Sequence, residues 1–228
     1  FVGALPYSLT FKDSRDVARA KLVAFEATRH SHLNDSWDVE SYRLSVTYKG
    51  NGLSIDRIAC RVLAAPIRRT HDVNFPTLTN ITDAFGSQVN EPAFTSLWGA
   101  TLNKEKQQEA IDDGKIDLTQ TFGATLDFAG NAKSAPIFQS IILHRNRDSE
   151  SAGWVGSMPQ GLVFEDSPAE LFKKINTQPV QRSDSALTGH AVWHFDAYTL
   201  HVLYSNIDNR LLRLKLLAPS TWKCIEDV

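Results

Sequence analysis

The sequence predicts an α+β protein made of tandem units, each a short helix followed by antiparallel strands. Three observations predict this class. A pattern near the start of the chain recurs near its end, a helix start signal precedes strand-like alternation in both copies, and 228 residues suffice for two or three small units. We expect three units, residues 1–66, 67–156 and 157–228, packed as one body, because a unit of about 60 residues buries little surface and is marginally stable alone.

The first and last units open with the same residues, and a helix start follows in each. In the last unit, Ser167 can cap the free backbone amides, Pro168 suits the first helical position and Glu170 can reach back to the cap. In the first unit, Asp13 and Ser14 give a looser form of this signal. The positions that align without a gap are Pro6 with Pro159, Leu9 with Leu162, Phe11 with Phe164, Asp13 with Asp166, and Ser14 with Ser167.

Both copies continue with a hairpin and a third strand. Residues 37–48 align with residues 193–204, and apolar and polar residues alternate in both, as in half-buried antiparallel strands. Residues 40–42 predict a turn inside the first of these stretches. The third strand is predicted over residues 58–63 in the first unit and 211–217 in the last. An Ala-Pro pair ends each, because proline cannot donate a hydrogen bond to a sheet.

The middle unit diverges but keeps the order of helix and then strands. Residues 77–86 predict a short helix that ends at a glycine, and a second helix opens at Glu91. Residues 103–112 predict a polar, exposed helix. Residues 115–128 and 136–145 are strand-like.

Composition excludes several classes of function. The chain has 24 basic and 26 acidic residues, and a net charge of −2 argues against binding nucleic acid through phosphate neutralisation. The longest uncharged stretch, residues 151–164, is shorter than the ~20 apolar residues that a membrane span needs. No signal peptide is visible, so we expect a cytoplasmic protein, or a periplasmic one if a signal segment was removed. Two cysteines, Cys60 and Cys224, do not make a disulfide framework.

Local catalytic motifs are missing. The sequence has no phosphate loop, no H-E-x-x-H, no nucleophile elbow and no C-x-x-C. Gly50 to Gly52 predicts a hairpin turn rather than a dinucleotide loop. His190 and His194 lie on a predicted strand, where side chains four apart are separated by ~13 Å, so a metal site is not expected there. We therefore expect no catalytic residue, no metal and no cofactor, although a triad could still assemble in space from distant segments.

The proline-led opening motif, the tryptophan strand with its tyrosines and the Ala-Pro exit resemble a family of bacterial tandem-repeat immunity proteins. Genes of that family often sit beside secreted polymorphic toxins. The passage Asn90 to Phe94 also resembles the family, whereas Ser8 stands where the family has glycine. The resemblance implies a non-catalytic inhibitor. At the level of fold, such repeats are similar to the β-lactamase inhibitor protein, whose two repeats present a concave sheet to an enzyme's active site.

Residues shared by both copies are expected in the core, so positions that differ are the better partner candidates. The shared aromatic pairs are Trp37/Trp193, Tyr42/Tyr198 and Tyr48/Tyr204. Two histidines and an aspartate differ between the copies, one tryptophan lies in a connector that we expect to be exposed, and an acidic run lies on the middle helix. In that order, the predicted partner-binding residues are His194, His201, Asp196, Trp154, Glu105, Glu109, Asp112 and Asp113. For the tryptophan and the acidic run, the alternatives are a ring tucked onto its own domain and a solvated helix face.

The sequence and the resemblance together predict an immunity protein that occludes the active site of a cognate toxin, delivered by contact-dependent or type VI secretion. Neither nucleic acid nor a membrane is expected as a partner, and we expect a monomer or a weak dimer. Two alternatives stay open. One is an enzyme whose active site is dispersed over the repeats, and the other is an envelope-assembly or scaffold module of the same fold.

Overall fold

The computed structural model describes residues 4–62, 65–69, 71–130, 135–185, 187–219 and 221–222. Helices and antiparallel strands are both present in them, which confirms the predicted α+β class. The contacts divide the chain into two units, Phe1–Ala65 and Pro66–Val228, where the sequence predicts three. The difference arises because strands from both sides of position 156 pair in a single sheet.

The first unit is a short helix followed by a four-stranded antiparallel meander. Its elements are α1 (Arg15–Lys21), β1 (Glu26–His30), β2 (Asn34–Val39), β3 (Tyr42–Tyr48) and β4 (Ile55–Val62). The predicted hairpin turn lies between β2 and β3, and the predicted glycine turn lies between β3 and β4. Strand β4 begins three residues earlier than predicted, and Leu63, its predicted end, lies outside the described residues. Strand β1 was not predicted.

The second unit carries four helices and one seven-stranded antiparallel sheet. Its helices are α2 (Leu78–Asp83), α3 (Pro92–Trp98), α4 (Lys104–Asp113) and α5 (Pro168–Lys174). Its strands are β5 (Lys115–Leu118), β6 (Ala124–Ala129), β7 (Ile137–His144), β8 (Gln181–Asp184), β9 (Thr188–His194), β10 (Thr199–Ser205) and β11 (Arg210–Leu217). The strand order is β5-β6-β7-β11-β10-β9-β8. A turn divides the predicted stretch 115–128 into β5 and β6, and β8 was not predicted.

The predicted helix starts are confirmed. The Ser14 hydroxyl accepts a hydrogen bond from the Val17 amide at 3.3 Å. Ser167 and Glu170 form a complete capping box: the Ser167 hydroxyl accepts from the Glu170 amide, and the Glu170 carboxylate accepts from the Ser167 amide at 2.8 Å. The Asn103 side chain caps α4 by accepting a hydrogen bond from the Lys106 amide. Side-chain oxygens therefore satisfy amides that a helix leaves free at its N-terminus.

The two aligned openings contain the same ionic network, although the sequence analysis did not identify its lysines. Asp13 accepts from the Lys21 ammonium at 2.8 Å and from the backbone amide three residues before it at 2.8 Å. Asp166 accepts from Lys174 and from the corresponding amide at the same distances. Each lysine also donates to a backbone carbonyl of the preceding turn. The lysine near the end of each helix thus ties the helix to the turn that leads into it.

The shared aromatic residues lie largely in the cores, as predicted. Trp37, Trp193, Tyr48 and Tyr204 are buried, and so is Tyr198, whereas Tyr42 is partly exposed. Both buried tyrosine hydroxyls at the ends of β3 and β10 donate to a carboxylate. Tyr48 donates to Asp35 at 2.9 Å, and Tyr204 donates to Asp184 at 2.6 Å. Each hydroxyl therefore has the polar partner that burial requires.

Gly123 lies in the turn between β5 and β6 against the backbone of a connector. Its φ of 73° suits glycine, and a Cβ atom built on it would lie 2.1 Å from the carbonyl carbon of Gly153. Gly161 has a similar φ of 65°, but nothing lies within 4 Å of the position its Cβ would take. A side chain at either position would therefore strain the backbone, but only a side chain at Gly123 would also clash with a neighbouring segment.

Replacing Gly123 by alanine should destabilise the protein far more than replacing Gly161. Both changes impose left-handed strain of about 1 kcal/mol. Only Gly123→Ala also forces two backbone segments apart, so we expect it to cost at least about 3 kcal/mol. Urea unfolding of the two variants measures the difference. Equal losses would contradict the close approach of Gly123 to Gly153.

Candidate binding face of the seven-stranded sheet

Side chains alternate across the seven-stranded sheet, and the helices cover only one of its faces. Leu200, Val202 and Tyr204 on β10 belong to the same buried core as Leu171 on α5 and Phe94 on α3. The intervening side chains point to the other side, which we call the distal face. Across the strand pairs its described members include Lys115, Asp117, Thr125, Asp127, Ser140, Ile142, His144, Arg213, Lys215, Leu217, Thr199, His201, Leu203, Ser205, Thr188, His190, Val192, His194, Gln181 and Ser183.

One half of the distal face, formed by β8, β9 and β10, is rich in histidine. The ring of His201 lies 5.3 Å from that of His190 and 5.2 Å from that of Trp222, which follows β11. Burial, followed by the charges of His190 and Lys215, lowers the pKa of His201 to about 4. The imidazole is therefore neutral at pH 7.

Several buried polar atoms on this face have no hydrogen-bond partner in the described chain. They are His201 Nε2 and Gln181 Oε1 in the histidine-rich half, Trp222 Nε1 beside His201, and Asp127 Oδ1 in the other half. An unpaired buried polar atom costs about 1–3 kcal/mol. Native proteins retain few such atoms.

The predicted partner-binding residues within 157–228 lie on this face or at its rim. His194 is exposed at the end of β9, with Nδ1 2.9 Å from the Thr199 hydroxyl. Asp196 is exposed in the turn between β9 and β10. His201 lies in the middle of β10, opposite Val192 and Lys215. The structure thus brings these three predicted residues to one region.

The expectation that Trp154 is exposed is wrong. Its side chain is 4% exposed, and its ring lies 4.9 Å from that of Phe75. Its backbone amide donates to the His144 carbonyl at 2.9 Å, and its indole donates to the Ser157 carbonyl. The connector therefore lies against the sheet and places the ring in the core, where Trp154 cannot anchor a partner.

The acidic run lies on α4, away from the distal face, because α4 packs its Ala110 into the core on the other side of the sheet. Glu105 and Asp113 are exposed. Glu109 accepts from Lys106 at 2.7 Å, and Asp112 accepts from Gln108 at 2.8 Å. The structure does not bring the acidic run together with the histidines. The positive charge of Lys106 offsets part of the negative charge of the run.

The other half of the distal face contains a hydroxyl, an imidazole and a carboxylate in line. Thr125 Oγ1 lies 2.9 Å from His144 Nε2, and His144 Nδ1 lies 2.9 Å from Asp148 Oδ2. The order is that of a nucleophile, a base and an orienting acid. The Asp148 carboxylate also binds the Arg213 guanidinium through both oxygens. Burial raises the pKa of Asp148, but its bonds to His144 and Arg213 outweigh this effect and lower the pKa.

Sequence reasoning allowed for such a line but could not locate it. Thr125 and His144 come together through the register of β6 against β7, in which Thr125 lies opposite Ile142. No short motif encodes that register. Neighbouring positions add another ion pair: the Lys215 ammonium lies 2.8 Å from Asp127, which also accepts from the Ser140 hydroxyl.

Among the described residues, no three side chains of histidine, cysteine, aspartate or glutamate lie close enough to hold a metal ion. None of the described helices combines the length and the apolar character needed to cross a bilayer. Cys60 is an exposed free thiol, and Cys224 lies outside the described residues. In the comparisons with known proteins, no family model, no curated protein and no solved structure matches the chain.

We expect the free energy of unfolding to decrease as the pH is lowered, because the pKa of His201 is depressed in the folded protein. Its folded pKa of about 4 lies below the ordinary value of 6.5, so the folded protein binds fewer protons than the unfolded chain between these values. The stability that depends on a neutral His201 is fully present above pH 6.5 and is lost as the pH falls to 4. Between pH 7 and pH 4, the free energy of unfolding of the His201→Gln variant should therefore decrease by about 1–3 kcal/mol less than that of the wild type.

Urea unfolding at the two pH values measures this difference. His194→Gln, which removes an exposed imidazole of the same sheet face, is the control variant. An equal loss of stability in wild type and His201→Gln would contradict the depressed pKa.

Proposed function

We propose that the chain is an immunity protein, which neutralises a cognate secreted toxin by occluding its active site with the distal face. The observation that carries the proposal is that the predicted residues His194, Asp196 and His201 lie together on a sheet face that the described helices do not cover.

The proposal includes a tandem repeat. In this reading, residues 1–66 and 157–228 are copies of one ancestral unit and residues 67–156 are a divergent third. The matching Asp13–Lys21 and Asp166–Lys174 networks support it, and so does the order of turn, helix and four-stranded meander in both copies. The resemblance to tandem-repeat immunity proteins rests on the opening motif that contains Asp13 and Asp166, the tryptophan strands with their tyrosines and the Ala-Pro exits.

A sheet face suits this task because it is formed before the partner arrives. Hydrogen bonds on both sides hold β7, β11, β10 and β9, so the face need not order itself on binding. A dissociation constant of ~1 nM corresponds to about −12 kcal/mol. An interface of roughly 1,600 Å² supplies that free energy in many complexes.

Charge substitutions on the distal face should disrupt toxin binding. Ser183→Arg and His194→Glu change exposed side chains of β8 and β9. Each should weaken the complex with the product of the adjacent toxin gene by at least about 30-fold, since a misplaced charge in an interface costs several kcal/mol. Calorimetry measures the affinity, and co-expression measures rescue of growth.

The matched controls are Glu105→Lys and Asp113→Lys, which reverse exposed charges on α4. They should change the affinity by no more than about twofold. Loss of binding in the α4 variants alone would place the interface on α4 and not on the distal face. An adjacent product that is harmless alone, or that stays lethal without forming a complex, would refute the immunity function itself.

A second candidate function is acyl transfer, and the line of Thr125, His144 and Asp148 favours it. Thr125 Oγ1 would attack an ester carbonyl and form an acyl–oxygen bond. His144 Nε2 would take the hydroxyl proton and pass it to the leaving alkoxide, and water would then release the acid. The bidentate Arg213–Asp148 pair weighs against this candidate, because the guanidinium offsets the negative charge that would stabilise an imidazolium.

Hydrolysis of p-nitrophenyl acetate separates the two candidates. Acyl transfer predicts that Thr125→Ala lowers the rate at least about 100-fold, while Thr125→Ser keeps or raises it because a primary hydroxyl is the better nucleophile. The inhibitor function predicts the same background rate in all three proteins. Thermal unfolding of each variant controls for loss of fold.

A further inference from the structure

Strand β4 of the first unit has one open edge. Among the described strands, only β3 pairs with it. Strand β11, which aligns with β4 in sequence, pairs with β10 on one side and with β7 on the other. Both strands have eight residues, and both have a register shift beside the tyrosine of the preceding strand, Tyr48 or Tyr204. The first unit therefore lacks the antiparallel strand that closes this edge in the second unit.

The apolar side chains of β4 are exposed, unlike their counterparts on β11. Ile58 and Cys60 lie opposite a valine and a leucine of β3, as Leu214 and Leu216 lie opposite a valine and a leucine of β10. Both leucines are 0% exposed, whereas Cys60 is exposed, Ile58 is partly buried and Val62 is 76% exposed. A strand placed along β4 would remove this apolar surface from water.

The edge of β4 is also poorly protected against pairing with another chain. Native proteins protect edge strands by making them very short, by placing charges on them or by including proline. Strand β4 has eight residues and no proline, and its charged residues, Asp56, Arg57 and Arg61, leave residues 58–60 uncharged. Its outer edge therefore offers backbone donors and acceptors over an uncharged centre.

The sequence of β4 is complementary to itself in an antiparallel register centred on Cys60. A two-fold axis perpendicular to the sheet keeps each face on its own side, so residues of the same face meet across the axis. In this register, Ile58 of each copy lies opposite Val62 of the other, and the two Cys60 side chains face each other. Apolar side chains directly opposite each other stabilise a strand pair.

Other registers centred on residues 58–61 are less favourable. Centring the pair on Ala59 would place Arg57 opposite Arg61 twice, and centring it on Arg61 would place two guanidinium groups opposite each other. Like charges in these positions are destabilising. Centring it on Ile58 would run the pairing through the bulge at Asp56. The register centred on Cys60 avoids both problems.

We propose that two copies of the chain pair along β4 in this register and join their four-stranded sheets into one. The second copy's β4 takes the place beside β4 that β7 takes beside β11. Because the ladder is short, we expect a dissociation constant of about 1–100 μM. The proposal concerns the chain alone, so it is independent of the inhibitor function and is tested without a toxin.

Sedimentation equilibrium of the full chain under reducing conditions measures the dimer. Cys60→Lys places two ammonium groups opposite each other and should weaken the dimer at least about 30-fold. Val23→Lys is the matched control, because Val23 is 82% exposed and lies outside β4. It should leave the dissociation constant unchanged. A chain that stays monomeric up to about 500 μM would overturn the proposal, and so would equal behaviour of the two variants.

Oxidative cross-linking tests the register. In a Cys60→Ala, Cys224→Ser background, Ile58→Cys and Val62→Cys are prepared separately and then mixed. The two new thiols face each other only between unlike copies, so the mixture should form a disulfide. Like thiols lie about 13 Å apart in this register, beyond the ~7 Å between Cα atoms that a disulfide spans. Cross-linking of either variant alone, or none in the mixture, would contradict the register centred on Cys60.

Discussion

The pairing of β7 with β11 is the interaction on which the second unit depends. It runs from Arg213 opposite His144 to Leu217 opposite Ser140. This ladder joins a three-stranded sheet from the middle of the chain to a four-stranded meander from its end. Without it, each part would bury one sheet face under few helices, which is marginal for stability. With it, the helices α2 to α5 share one core, and the distal face spans seven strands.

The same pairing determines the polar chemistry of the distal face. Arg213 on β11 reaches Asp148 beyond the end of β7, and Lys215 reaches Asp127 on β6. These ion pairs cross between the two parts of the sheet and occupy one half of the face. The histidine half has few such partners, and the unpaired His201 and Gln181 lie there. The ion pairs are therefore concentrated on one side, where Asp127 Oδ1 alone of the unpaired atoms on the strands of this face lies, and the other two are on the histidine side.

Local features were predictable from the sequence, and features that depend on strand register were not. Ser14 and Ser167 act within three residues of themselves, so their capping could be read directly. Strand β8 is Gln-Arg-Ser-Asp and lacks apolar alternation, so no periodic signal marked it. No local signal marks the pairing of β7 with β11, which joins strands from both sides of position 156 in one sheet. The burial of Trp154 was missed for a related reason, since a hydrogen bond to β7 places its connector.

Both edges of the sheet are short and charged, which under the proposed function favours a partner that meets the face and does not extend the sheet. Strands β5 and β8 are the edges, and each is only four residues long. On β8, Arg182 pairs with Asp184, and on β5, Lys115 and Asp117 are exposed. Short, charged edge strands resist pairing with another chain. Under the proposed function, a partner would therefore meet side chains of the distal face and not the backbone of an edge strand.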